Sequence, residues 1–295
     1  MILRVFCALA VLSLFSSQAG ADGWTKSADL ALTVNQSSYS NSWAGEETGT
    51  ITWGFTGDLT AERTFSKESW RNTLKLQFGQ THLQGVDTSG DKRWLSPQKS
   101  SDRIFFESLL RFVLSKPVDP YLSLSIDTQF YDGSVEGVRR YLNPLLLTEA
   151  AGVSRTFSKT EKTELLSRLG FALRQHIDKT VVSVDPEETK YETATDGGLE
   201  WVTDFSHTLP NDAAKYVTKL RVYRAFFYSK SDDLKGLPEE DYWRAPDITW
   251  ENTLSATVAK YVQFSLFFEL LYDKEIDLRG RFRETLGVGL TYKLF

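Results

Sequence analysis

The chain has 295 residues, with 34 Lys plus Arg against 39 Asp plus Glu and a formal net charge of −5. That mildly acidic balance argues against nucleic acid as a partner. One cysteine, Cys7, and three histidines leave little room for thiol catalysis, a disulfide framework or a cysteine metal site.

The reading in chain order begins with a leader. Arg4 supplies a positive start, and Ala19-Gly20-Ala21 supplies a small-residue cleavage site. Between them, Val5 to Phe15 is an apolar stretch of about eleven residues, too short to cross a bilayer as a helix. Residues 1–21 are therefore expected to be a signal peptide that removes Cys7, and 22–295 an exported domain. No later run of about 18 apolar residues follows. A membrane-spanning form must then be a closed β-barrel, whose backbone groups pair between strands and whose apolar residues fall at alternate positions.

Beyond the leader the dominant period is two. A first strand is expected near 27–36. In Thr50 to Glu62, Ile51, Trp53, Phe55, Leu59 and Ala61 alternate with Thr52, Gly54, Thr56, Asp58 and Thr60. Leu74, Leu76 and Phe78 alternate with Lys75 and Gln77 in 73–81, and a noisier strand covers 102–114. Leu122, Leu124 and Ile126 alternate with Ser123, Ser125 and Asp127. Further strands are expected near 145–157, 163–177, 196–206 and 215–228, then 253–258. Val262 to Tyr272 and Leu286 to Tyr292 alternate cleanly. The total is twelve, in an antiparallel barrel.

The connections alternate as well. Long ones fall near 37–48, 83–101, 132–144, 178–195, 229–247 and 274–283. Short ones fall near 64–72, 115–119, 158–162, 207–214 and 259–261. Outer-membrane barrels have long outer loops and short periplasmic turns, so both termini are expected on the periplasmic side. The expected location is the cell outer membrane, with its lipids and the barrel-assembly machinery as partners. No cofactor, no metal and no nucleic acid are expected.

The inward face carries the most informative residues. Asp58, Glu62, Glu107, Asp127, Glu200, Asp204, Glu251 and Glu269 oppose Lys75, Arg103, Arg111, Arg168, Arg174, Lys219 and Arg221. Buried charges are tolerated when paired or hydrated. These residues therefore line either a barrel plugged by ion pairs or a narrow water-filled pore for small polar solutes. At the chain end, Tyr292, Leu294 and Phe295 resemble an outer-membrane assembly signal. Trp53, Trp70, Trp201, Tyr216, Tyr228, Trp250 and Tyr272 lie near predicted strand ends, where aromatic girdles form.

Between about residues 28 and 157 the chain resembles an uncharacterised family of exported β proteins, protein-of-unknown-function family 3078. The motifs are Asn41-Ser42-Trp43-Ala44-Gly45, Trp70-Arg71-Asn72-Thr73-Leu74, Asp102-Arg103, Thr128-Gln129-Phe130-Tyr131-Asp132-Gly133, and Asn143-Pro144 with Leu147-Thr148. Glu46 stands where the family pattern has a second glycine. The resemblance implies an outer-membrane barrel and supplies no catalytic residues.

Two rival functions remain open at this level. A lipid-modifying enzyme of the outer membrane needs a nucleophile with a positioned base. Of the histidines, His82 is expected at the outer end of the third strand, His176 inside at the outer end of the seventh, and His207 at a turn. None sits in a hydrolase motif, so no catalytic residue is assigned. The other rival is a soluble exported barrel that binds an apolar ligand.

Overall fold

The computed structural model describes residues 23–39, 48–86, 91–114, 117–259 and 261–293. Residues 1–22, which include the expected leader, and the two last residues, Leu294 and Phe295, lie outside them, and the side chain of Tyr292 is not described.

Twelve long strands form the protein: β1 (Trp24–Ser37), β2 (Thr50–Thr64), β3 (Glu68–Val86), β4 (Gln98–Phe112), β5 (Asp119–Thr128), β6 (Leu145–Lys159), β7 (Thr163–Val184), β8 (Glu187–Thr208), β9 (Ala214–Tyr228), β10 (Asp247–Ala259), β11 (Val262–Tyr272) and β12 (Arg281–Lys293). Each pairs antiparallel with its neighbours in sequence, and β12 returns to β1 with Leu30 opposite Tyr292 and Thr33 opposite Gly289. The predicted count of twelve and the last-to-first pairing match the observed ring. Closure removes the two edges that an open sheet would present.

The two-residue period assigns the faces. Leu286, Val288 and Leu290 on β12 are 62%, 61% and 62% exposed and point outward. Gly287 and Gly289 between them face the interior. A comparable outward apolar set continues around the ring through Leu32 and Val34, Leu122, Phe157, Leu169, Leu199 and Phe226.

The interior is lopsided. On the β4 to β9 side it is packed by Leu109, Tyr121, Ala150, Leu166, Ala172, Tyr223 and Ala225, with Trp243 folded in from the β9–β10 connection. On the β10 to β2 side many inward positions are small: Thr253, Ser255 and Thr257; Ser265; Thr285, Gly287 and Gly289; Ala31 and Thr33; Gly54 and Thr56.

Several predicted boundaries change. The long loop expected at 178–195 is paired strand almost to its tip, with only Asp185 and Pro186 between β7 and β8. The pair outruns its neighbours: β6 leaves β7 at Ile177, and β9 leaves β8 at Asp196. Its charges read as a solvated loop in the sequence. Thr180, Val181, Val182, Thr189, Tyr191 and Thr193 nonetheless favour extended backbone. The base of this projecting hairpin is capped, because Asn143 Oδ1 accepts the Lys179 amide at 2.6 Å and Arg140 donates to the Lys179 carbonyl at 2.7 Å. The connection expected at 83–101 is likewise shortened by β3 running to Val86, and a strand at Lys92–Trp94 pairs back on it. The turn expected at 64–72 is shorter too, since β3 begins at Glu68. His207 lies within β8, not in a turn, and its Nδ1 is 2.8 Å from Thr163 Oγ1.

Two glycines mark a close approach of neighbouring strands. Gly152 and Gly170 are directly paired on β6 and β7, and a Cβ on Gly170 would meet the Ala151 carbonyl oxygen at 2.4 Å. Only a residue without Cβ lets the sheet bend this sharply. Gly170→Ala should therefore lower the urea midpoint of the refolded barrel. Gly287→Ala, whose Cβ would meet only Thr33 Cγ2 at 3.2 Å, should leave it close to wild type. Equal midpoints would remove the packing argument.

Candidate functional site

Antiparallel strands with inward charge at alternate positions put acids and bases of different strands at matching heights. The barrel resolves them into ion-pair layers. Near the long-connection end, Asp196 on β8 accepts from Arg174 at 2.8 Å and lies 2.9 Å from His176 Nε2, and Tyr223 donates to the same carboxylate. Arg174 also reaches Asp247 at 2.8 Å and lies 3.6 Å from the centre of the Tyr223 ring.

In the middle, Glu251 on β10 accepts from Arg103 on β4 at 2.6 Å and from Lys75 on β3 at 3.1 Å. Strands β4 and β10 stand on opposite sides of the ring, so this ion pair crosses the lumen. Arg103 also holds Asp127 at 2.7 Å and approaches Glu269 at 3.8 Å; Glu269 pairs with Arg283 at 2.7 Å.

Beside it, Glu107 on β4 accepts from Lys219 on β9 at 3.0 Å and Arg168 on β7 at 3.1 Å. Arg168, only 2% exposed, shares Asp204 at 3.0 Å, and Arg221 lies 3.3 Å from Glu200. Toward the short-turn end, Arg71 holds Glu62 at 2.8 Å and Glu164 at 2.5 Å.

The structure thus brings Lys75, Arg103, Glu107, Asp127, Arg168, Arg174, Glu200, Arg221, Glu251 and Glu269 into ion pairs. Arg111 is inside without one, and Asp58 faces the lumen exposed, directly opposite Asp29 on β1 and Lys75 on β3. Sequence reasoning missed Arg71, Glu164, Asp196, Asp247 and Arg283. Arg71 fell in an expected turn and Arg283 in an expected connection; only pairing register shows them to be inward.

A buried carboxylate or guanidinium stripped of its partner is strongly destabilising, because an uncompensated charge is left behind. Each layer therefore holds its strands at a fixed separation. The bridges fill the β3–β9 part of the lumen. Thr56, Asp58, Thr257 and Thr285, which share inward faces with Lys75, Glu251 or Arg283, are all exposed. Water thus reaches the small-residue wall beside the bridges.

The outer surface is also organised. Trp70, Trp201 and Trp250 are exposed, and each indole N–H donates at 2.9 Å to a hydroxyl on the adjacent strand: Ser108, Ser167 and Thr218 respectively. These pairs satisfy three indole donors on the outer surface.

At the long-connection mouth Glu275 is exposed overall, yet its carboxyl loses hydration and sits among Asp273, Asp247 and Asp196, with Arg174 as the nearby cation; these surroundings push it up to about 7. A raised acid is stabilising in its neutral form, so that contribution is present at low pH and lost as pH rises through about 7. Trypsin cleavage at Lys274 and Arg279 should accelerate over that interval in wild type more than in Glu275→Gln. Parallel pH profiles for the two proteins would refute the coupling.

Solved structures with which the barrel aligns include the translocator domain of the autotransporter NalP from Neisseria meningitidis, at 10% identity over 98% of this chain and 94% of that one, with a TM-score of 0.38. An outer membrane channel from Pseudomonas putida F1 aligns at 11% identity over 94% and 97%, with a TM-score of 0.38. The outer membrane channel DcaP of Acinetobacter baumannii aligns at 9% identity over 94% and 98%, with a TM-score of 0.31. No curated protein matches the sequence. Residues 34–133 match the family described as "Protein of unknown function (DUF3078)", the family that the motifs of β1 to β5 resemble.

Proposed function

We propose that the protein is an outer-membrane barrel giving small polar solutes a narrow, off-centre passage, with its long connections outside the cell and both termini in the periplasm. The observation that carries the passage is the division of the lumen. Ion pairs from Arg103 and Lys75 to Glu251 cross it, and the exposed inward residues Thr56, Asp58, Thr257 and Thr285 lie on the small-residue wall. A ring of twelve strands is wider than the eight-stranded barrels that side chains fill, and narrower than the porins.

Membrane placement is supported by the outward face. Leu286, Val288 and Leu290 belong to an exposed apolar surface that continues around the ring, larger in extent than soluble monomers ordinarily leave bare. In lipid an unpaired N–H costs several kcal/mol, which gives the three tryptophan–hydroxyl pairs a role they would not need in water. The partners that follow are outer-membrane lipids and the machinery that inserts such barrels, with Tyr292, Leu294 and Phe295 as the recognition end.

The lipid-hydrolase reading has less support. His176 is hydrogen-bonded to Asp196, but among the described residues no serine or threonine hydroxyl is bonded to His176.

The bilayer placement is testable one residue at a time. Leu266→Arg on the outward face of β11 should cost about 2–4 kcal/mol when unfolding is measured in lipid vesicles. Ser265→Arg, its inward neighbour, should be better tolerated; equal costs would discard the assigned faces.

For the passage, purified wild-type protein in planar bilayers should give discrete conductance steps smaller than those of an open porin. Gly287→Phe, which projects from the small-residue wall, should reduce them. A silent wild type would make the barrel a plugged one.

A further inference from the structure

The two layers in the middle of the lumen pair their charges three against three. Glu107, Asp204 and Glu200 face Arg168, Lys219 and Arg221, and Asp127, Glu251 and Glu269 face Lys75, Arg103 and Arg283. The network nearest the short turns contains Glu62, Glu164 and Asp119 with Arg71, Lys159 and Arg111, and one of its cations is left out of the ion pairing.

That cation is Arg111, which is 5% exposed and, among the described residues, takes part in no ion pair. Its hydrogen bonds go to hydroxyls, donating to Thr156 Oγ1 at 2.8 Å and to Ser69 Oγ at 3.5 Å. Ser69 in turn donates to Glu62 at 3.0 Å. Glu62 has nothing left to offer. It already accepts from Arg71 Nε at 3.1 Å and Nη2 at 2.8 Å, from Lys159 at 2.9 Å and from Ser69, which uses the roughly four lone-pair directions of a carboxylate. Asp119, the first residue of β5, accepts the Leu114 amide.

A buried guanidinium supplied only with weak neutral acceptors is a charge awaiting compensation. Its planar fork matches the two oxygens of an oxyanion. We infer that Arg111 and Arg71, with Ser69 and Thr156, form a binding site for a small oxyanion, phosphate or a short carboxylate, entering the lumen from the short-turn end. Lys159, half-exposed at the rim of this layer, provides the positive approach. The site is separate from the small-residue wall and does not depend on whether that wall conducts.

The test uses the full-length mature barrel refolded in detergent, with thermal unfolding followed by tryptophan fluorescence at constant ionic strength. Inorganic phosphate and acetate are titrated in separate series against chloride. In wild type one of the two oxyanions should raise the midpoint saturably, and the more effective series identifies the class. Arg111→Lys keeps the charge and loses the fork, so binding should weaken by about tenfold or more. Arg111→Met should abolish the rise. Without added anion its midpoint should equal or exceed that of wild type, because an uncompensated buried charge has been removed. If that variant does not refold, direct binding of radiolabelled phosphate to wild type and Arg111→Lys decides the same question. A wild-type midpoint and binding signal indifferent to both oxyanions, or identical responses in wild type and the Arg111 variants, would overturn the site.

Discussion

Closure of the hydrogen-bonded ring is the constraint on which everything else rests. Twelve strands use up one another's backbone donors and acceptors only if β12 reaches β1, which it does through the short pairing Asp29–Thr33 with Lys293–Gly289. Once the ring is closed, side chains have two destinations, and the two-residue period sends apolar residues to one and polar residues to the other. The outward face then suits hydrocarbon and the inward face must solve an electrostatic problem.

That problem has an unequal solution around the ring. The wall from β3 to β9 carries long charged chains and aromatics, which meet in the lumen and hold opposite strands apart. The wall from β10 round to β2 carries Gly, Ser, Thr and Ala at many of its inward positions, beside Glu251, Glu269 and Arg283. A symmetric distribution of the same residues would leave either a uniformly wide bore or a uniformly filled core. Concentrating bulk on one side gives a braced barrel that still admits water along the other. The rigidity comes from acids with several partners, since Glu107, Glu251 and Asp196 each join more than two strands.

The ends of the barrel differ in kind. At one end the strands finish in tight turns, and the ionic layer there keeps Arg111 outside its ion pairs. At the other, β7 and β8 project past their neighbours and the 229–246 connection sends Trp243 back into the interior against Tyr228. Carboxylates gather at this second mouth: Asp196, Asp247, Asp273 and Glu275. The two mouths thus differ in charge, with carboxylates concentrated at the long connections. A charged solute would therefore meet different surroundings at its two entrances.

The sequence by itself determined the strand number and the faces of the cleanly alternating strands, with part of the inward charge they carry, because a two-residue period is a local property that survives without knowledge of neighbours. Leu286 to Tyr292 shows this well: its apolar residues could belong to one face only. The sequence also carried the family's motifs in the first half of the barrel. It could not place strand ends where pairing overrides composition, as in the charged hairpin of β7 and β8, which reads as loop until its two arms are seen together. Nor could it say which acid meets which base. Arg103 and Glu251 are far apart in the chain, and only the register of twelve strands around a closed ring sets them face to face. The same register leaves Arg111 beside hydroxyls and Asp58 beside water, distinctions that no count of charges along the chain contains.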